Sequence, residues 1–180
     1  MDASGITELQ IRDLVRDIPD FPKPGILFRD ITPLIADPAG LKWAVSGLAE
    51  HASEFDVDFV LAPEARGFLL GPALALELGA GFVLARKPGS LPREKVTADY
   101  VLEYGSASLE CHADALGDGA RVLVHDDLLA TGGTARALCH LVERLGGTVV
   151  GCGFLIELAF LGGREKLAPH ETHALLSYDS

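Results

Sequence analysis

Hydrophobic and polar positions change rhythm twice along this chain. ITELQIRDLVRDI brings Leu9, Leu14, Val15 and Ile18 near one helical face. Thr7, with Gln10 three residues on, completes a capping-box pattern in which each side chain satisfies the other's backbone N–H. A first helix is therefore expected. FPKPGILFRD then sets Pro22, Pro24 and Gly25 close together, which leaves a constrained loop in place of a long regular element. DPAGLKWAVSGLAEHA restarts a helix, with Asp37 as N-cap, Pro38 at the first helical position and Trp43 as an expected core anchor.

From residue 57 the pattern becomes strand and helix in alternation. VDFVLA, GFVLAR, RVLVHDD and TVVGCGFLIEL are β-branched and apolar runs. Helical patterns separate them over Gly67 to Leu78 and in TARALCHLVERLG, the second stopped by Gly146 and Gly147. Such alternation predicts an α/β fold, a mainly parallel sheet with helices on both faces. Between the second and third runs lies KPGSLPREKVTADYVLEYGSASLECH, polar at first, then two short runs, YVLEY and ASLEC, parted by Gly105 and Ser106. This reads as a long mobile excursion that closes in a hairpin.

Bulk properties narrow the picture without changing it. A chain of 180 residues with 48% hydrophobic and 23% charged content is expected to form one domain around one core. GFLLGPALALELGAGFVLA approaches the length of a membrane span, but Pro72, Gly79 and Gly81 break it into a packed helix, a turn and a buried strand. A net charge of −11 argues against a nonspecific nucleic-acid or anionic-membrane surface, so any phosphate recognition must be local. Three cysteines without CxxC spacing, Cys111, Cys139 and Cys152, are read as small core residues and suit a reducing, cytoplasmic location. MDASGITELQ is acidic and polar, unlike a signal peptide.

The chemistry concentrates in HDDLLATGGTARA, which joins the third strand to its helix. In open parallel sheets such joins line the ligand crevice. Ala130, Thr131, Gly132, Gly133 and Thr134 are small enough for backbone N–H groups to converge on an anion, with the helix dipole behind them. Asp126 and Asp127 would repel that anion, so they must address another part of the same ligand: vicinal hydroxyls, or a hydrated Mg²⁺. The pairing suggests a sugar phosphate. Glycine loops that merely make a tight turn are common, and the two acids tip the balance toward a ligand. No GxxxxGK[ST] and no helix-opening GxGxxG competes.

VHDDLLATGGTA resembles the phosphoribosyl pyrophosphate motif of the type I phosphoribosyltransferases. FPKPGILFRDITPL, EARGFLLGPALA, ARKPGSLP, YVLEYG and FLIELAFLGGREKL extend the likeness over nearly the whole chain, and FPKPGILFRDITP with LEYG narrows it to the adenine-using branch. The resemblance implies a single domain over residues 1–180, with an N-terminal hood for base recognition at about 1–35 and a flexible catalytic loop and hairpin at about 87–112. The implied reaction is purine salvage, in which adenine and 5-phosphoribosyl 1-pyrophosphate give AMP and pyrophosphate in the presence of Mg²⁺, and the implied assembly is a homodimer.

Carried over residue by residue, the likeness makes Ala130 to Thr134 the 5′-phosphate loop and Asp126 and Asp127 the acids for the ribose and its metal shell, Mg²⁺ being held mainly by substrate and water. Arg66 and Lys87 would contact pyrophosphate; Arg86 is the weaker candidate, since alternation turns it away from Lys87. Glu103 would handle the proton of the purine imidazole and Tyr104 close the site over the sugar. Leu27, Phe28 and Arg29 would recognise adenine, Phe28 by stacking and the backbone of Leu27 by accepting from the exocyclic amine. Two positions depart from the family. Ser90 stands where a lysine is usual, so its pyrophosphate contact is lost or is taken over by Arg93 or Lys95. His125 replaces the usual apolar residue and is read as a strand-end histidine with a backbone partner, outside the site. The competing readings are a phosphoribosyltransferase for another base and a non-catalytic phosphoribosyl pyrophosphate sensor.

Overall fold

The computed structural model of the chain describes residues 7–101 and 106–180. By spatial clustering it divides into two units, Met1–Ser46 and Gly47–Ser180. The smaller opens with α1 (Glu8–Asp13), capped as expected: Thr7 N–H donates to Gln10 Oε1 at 2.9 Å and Gln10 N–H returns to Thr7 Oγ1 at 3.4 Å. The helix is shorter than its hydrophobic pattern suggested. Ile11 is its buried residue and Leu9 is 77% exposed, while Ile18 leaves the helix for β1 (Arg16–Pro19). The proline-rich loop also carries more order than expected, because its end forms β2 (Leu27–Asp30), antiparallel to β1. After α2 (Thr32–Ala36), Asp37 Oδ1 accepts from Gly40 N–H at 2.7 Å and starts α3 (Pro38–Ala52). Trp43, the expected core anchor, is half-buried there.

The larger unit follows the predicted alternation. Its elements are β3 (Phe59–Pro63), α4 (Gly71–Leu78), β4 (Gly81–Ala85), β5 (Lys95–Val101), β6 (Ser106–His112), β7 (Arg121–Leu129), α5 (Gly133–Arg144), β8 (Thr148–Leu158) and β9 (Thr172–Tyr178). Five strands form one sheet in the order β4-β3-β7-β8-β9, every neighbouring pair parallel. β5 and β6 make the expected hairpin outside it, although β5 begins earlier than the YVLEY run suggested. β9 is an edge strand that the alternating pattern upstream had not extended to. No helix among the described residues is long and apolar enough to cross a membrane, and the tested apolar run is indeed α4, a turn and β4.

The pleat of β7 sorts the core. Val122 and Val124 pack with Leu138, Leu141 and Val142 of α5, and the β5–β6 hairpin adds Ala98, Leu109 and Cys111 to the same cluster. Leu123 points to the other face, where it lines a small cavity with Leu48 of α3 and Leu74 of α4. On that face β8 presents Gly151 and Gly153, whose missing side chains admit Phe55 and Leu48. The three cysteines are free and buried, as read from the sequence. Phe154, in the middle of β8, is fully buried against α5. Phe154→Ala is expected to cost about 3–5 kcal/mol of stability by leaving a cavity; a urea midpoint shift equivalent to less than about 1 kcal/mol would show that this face is not the stabilising core.

Candidate functional site

β7 outlasts its neighbour. β3 ends at Pro63, paired in register up to Leu61↔Val124, whereas β7 continues through both acids to Leu129 alongside β8. Asp126 and Asp127 are therefore strand residues, and both border the same cleft. The space that β3 vacates is filled by Glu64–Phe68, whose last three residues form a single helical turn. Arg66 in that turn donates through Nε to Asp127 Oδ2 at 2.6 Å, with Nη2 at 2.5 Å from the same oxygen. Gly67 permits this approach, since a Cβ there would lie 2.5 Å from Pro63 and 3.3 Å from Asp126 Oδ1.

Past Leu129 the chain turns through Ala130, Thr131 and Gly132 into α5. Gly132 is the N-cap at φ 78°, and no side chain caps the helix. The first helical bond runs from Arg136 N–H to Gly132 O, so the N–H groups of Gly133, Thr134 and Ala135 precede the intrahelical ladder. They border a cup of about 70 Å³ lined by Asp126 and the run from Leu128 to Ala135. An uncapped N-terminus of a twelve-residue helix, with its positive dipole end, suits an anion. Gly163 lies directly behind: a Cβ on Gly132 would sit 2.5 Å from Gly163 O, and one on Gly163 would sit 2.1 Å from Ala130 O. Arg164, paired with the buried Glu157 of β8, fixes that backing segment.

The cup adjoins a cleft of about 520 Å³, with Asp126, Leu128, Ala130 and Thr134 bordering both. Arg66, Lys87 and Asp127 line the same cleft. All nine residues expected to hold the phosphoribosyl and pyrophosphate groups thus border this cup or the cleft beside it. Glu64 and Tyr100 border it as well, and sequence reasoning had not named them; their position beside EARG and ahead of LEYG was the available signal. Arg86 turns away to pair with Glu64 and holds that carboxyl below its ordinary range by hydrogen bonding. Neither replacement considered for the missing lysine is unengaged, since Arg93 pairs with Asp114 and Lys95 with Glu110. Glu103 and Tyr104 lie outside the described residues.

Leu27, Phe28 and Arg29 all fall on β2 of the smaller unit. Leu27 is exposed, Phe28 packs edge-on against Phe21 with ring centres 5.1 Å apart, and Arg29 is buried and paired with Asp17 opposite it on β1. His125 is fully buried with Nδ1 2.9 Å from Gly153 O, the backbone partner expected of it. Burial lowers its pKa to about 4, so it is a neutral ring at physiological pH. Among the described residues no group of three His, Cys, Asp or Glu side chains is arranged to hold a metal.

This architecture defines a class before it defines a member. Residues 40–175 match the family model of the phosphoribosyl transferase domain, and a five-stranded parallel sheet with its glycine cup after a central strand is the type I fold. An adenine phosphoribosyltransferase of Methylococcus capsulatus is 59% identical over 169 residues, 94% of this chain and 99% of the relative. The crystal structure of adenine phosphoribosyltransferase from Thermoanaerobacter pseudethanolicus superposes with a TM-score of 0.93 at 49% identity, covering 96% of this chain and 100% of that one. The Saccharomyces cerevisiae enzyme, crystallised with adenine and an imino-altritol bisphosphate, reaches 0.88 at 40% identity, covering 93% and 97%. The chain belongs to the adenine phosphoribosyltransferase family.

The two acids carry unlike electrostatics. Asp127 is buried against the Arg66 guanidinium, while burial and the neighbouring Asp127 charge push the Asp126 carboxyl well above its ordinary range. A carboxyl whose pKa is higher folded than unfolded costs stability once pH rises past the unfolded value of about 3.9. Asp126→Asn keeps the acceptor for Asp127 N–H, at 2.9 Å in the wild type, and removes that ionisation. The variant is therefore expected to unfold at higher denaturant than wild type at pH 7 and to lose the advantage below about pH 4. Equal stabilities at both pH values would contradict the assignment.

Proposed function

We propose that the chain transfers the phosphoribosyl group of 5-phosphoribosyl 1-pyrophosphate to adenine, giving AMP and pyrophosphate. The observation that carries this reading is the adjoining cup and cleft around which an anion site, two acids and two cations gather. The 5′-phosphate takes the cup of Ala130 to Thr134. The ribose hydroxyls then lie along Asp126 and Asp127, and the pyrophosphate toward Arg66 and Lys87. The purine N9 attacks C1′ as the bond from C1′ to the pyrophosphate oxygen breaks, and positive charge develops on the ring. Asp126 and Asp127 accept from the ribose hydroxyls and hold the sugar in place, while Arg66 and Lys87 neutralise the leaving oxygens.

Glu103 accepts the proton released by the purine imidazole, and Tyr104 closes over the sugar. Leu27, Phe28 and Arg29 select the base; a backbone carbonyl facing the exocyclic amine favours adenine over a 6-oxo purine, which would set acceptor against acceptor. Mg²⁺ fits this donor set as a substrate-borne ion. Two carboxylates, one of them already engaged by Arg66, are too few for a protein-only cage, and Mg²⁺ characteristically keeps waters and phosphate ligands. Asp126 and Asp127 would hold its hydration shell, and the ion would supply charge neutralisation for the pyrophosphate. The same reading includes a homodimer in the cytoplasm.

Incubation with adenine, 5-phosphoribosyl 1-pyrophosphate and Mg²⁺ is expected to yield AMP and pyrophosphate, with little product when Mg²⁺ is chelated. Turnover of hypoxanthine with none of adenine would overturn the base assignment. Glu103→Gln is expected to lower kcat by about 10²- to 10⁴-fold with substrate binding largely kept, and an unchanged kcat would remove its role.

A further inference from the structure

A second cavity lies on the outward side of α5. Arg136, His140 and Glu143 follow one another at helical spacing on that face and form one wall of a pocket of about 130 Å³. Lys166 and His170, from the segment between β8 and β9, form the facing wall. The pocket continues along Arg136, His140 and Lys166 into a wider groove of about 290 Å³ that ends at Asp99 and Tyr100 on the β5–β6 hairpin.

Several cations of the chain are tied to carboxylates, and two that line this concavity are not. In a chain of net charge −11, Arg29, Arg66, Arg86, Arg93 and Arg164 are each paired to a carboxylate. Among the described residues, Arg136 and Lys166 join no salt bridge, although they share the walls of one concavity and Glu143 borders it. Two cations on the walls of one concavity favour an anion within it. Four N–H-bearing side chains on facing walls match a phosphate group, whose oxygens accept from several donors at once. The groove beyond is wider, bears a half-buried aromatic ring, and carries a carboxylate able to accept from hydroxyl or amine groups. A bare inorganic ion would leave that part unused.

We propose that this groove binds a nucleoside phosphate, with the phosphate between Arg136, His140, Lys166 and His170 and the nucleoside lying toward Tyr100. The site is separate from the 5′-phosphate cup, which uses the backbone at the start of α5, whereas this one uses outward side chains farther along it. The groove adjoins the other two spaces, sharing Gly133 with the cup and Tyr100 with the cleft.

The test is equilibrium dialysis of labelled AMP against the full chain at low ionic strength, compared with Arg136→Ala/Lys166→Ala. Both side chains are exposed, and far-UV circular dichroism with retained kcat for AMP formation verifies folding. Arg136→Gln alone provides a milder second variant. Wild type is expected to bind one more equivalent of AMP than the double variant, and excess inorganic phosphate is expected to displace that equivalent. Two equivalents falling to one supports the groove together with AMP binding in the cleft. One falling to none supports the groove while contradicting the cleft reading. Equal stoichiometry in wild type and double variant overturns the proposal, as does a second equivalent that inorganic phosphate does not displace.

Discussion

The contact between Arg66 and Asp127 is the constraint on which the site depends. It joins residues 61 positions apart, one on the turn after β3 and one near the end of β7. A buried carboxylate without a partner costs several kcal/mol, so Asp127 is tenable in the cleft floor only because a guanidinium sits against it. In return, Asp127 orients a cation that lines the cleft wall. The contact also resolves a conflict in composition. Two adjacent carboxylates beside an anion cup would repel phosphate, but one is neutralised by Arg66 and the other is shifted toward its protonated form.

Strand length and glycine packing make that arrangement possible. Because β7 runs past β3, the acids stay on a rigid strand braced by β8 on one side and meet the Arg66 turn on the other. His125 contributes to the bracing through its bond to the Gly153 carbonyl. Beyond Leu129, the loop is held by backbone against backbone, Gly132 on Gly163, at distances that no side chain would tolerate. The cup is thus shaped before any ligand arrives, and preorganised N–H donors need little rearrangement to meet an anion.

Much of this was legible in the residues because the signals were local. The capping box at Thr7, the alternation from residue 57, the hairpin and the glycine loop are each written within a few positions, and each reappears in the structure. What escaped depends on distant partners. Ile18 fits a helical face, yet β2 draws it into a ribbon; Leu9 fits the same face and remains exposed. THALLSY becomes an edge strand only because β8 offers it a parallel neighbour. Arg66 was read as a cation for pyrophosphate, and nothing near it in the sequence announces Asp127 as its partner. Glu64 and Tyr100 enter the cleft by the same long-range convergence.

If the pair acts as one unit, its members must be energetically coupled in the reaction. The direct measurement is a double-mutant cycle with Arg66→Ala, Asp127→Ala and the combination, read as kcat/KM for 5-phosphoribosyl 1-pyrophosphate. Losing either partner strands the other, so the combined loss is predicted to fall short of the sum of the single losses by more than about 1 kcal/mol. Losses that add within about 0.5 kcal/mol would show that the two residues serve the reaction independently and would contradict the account.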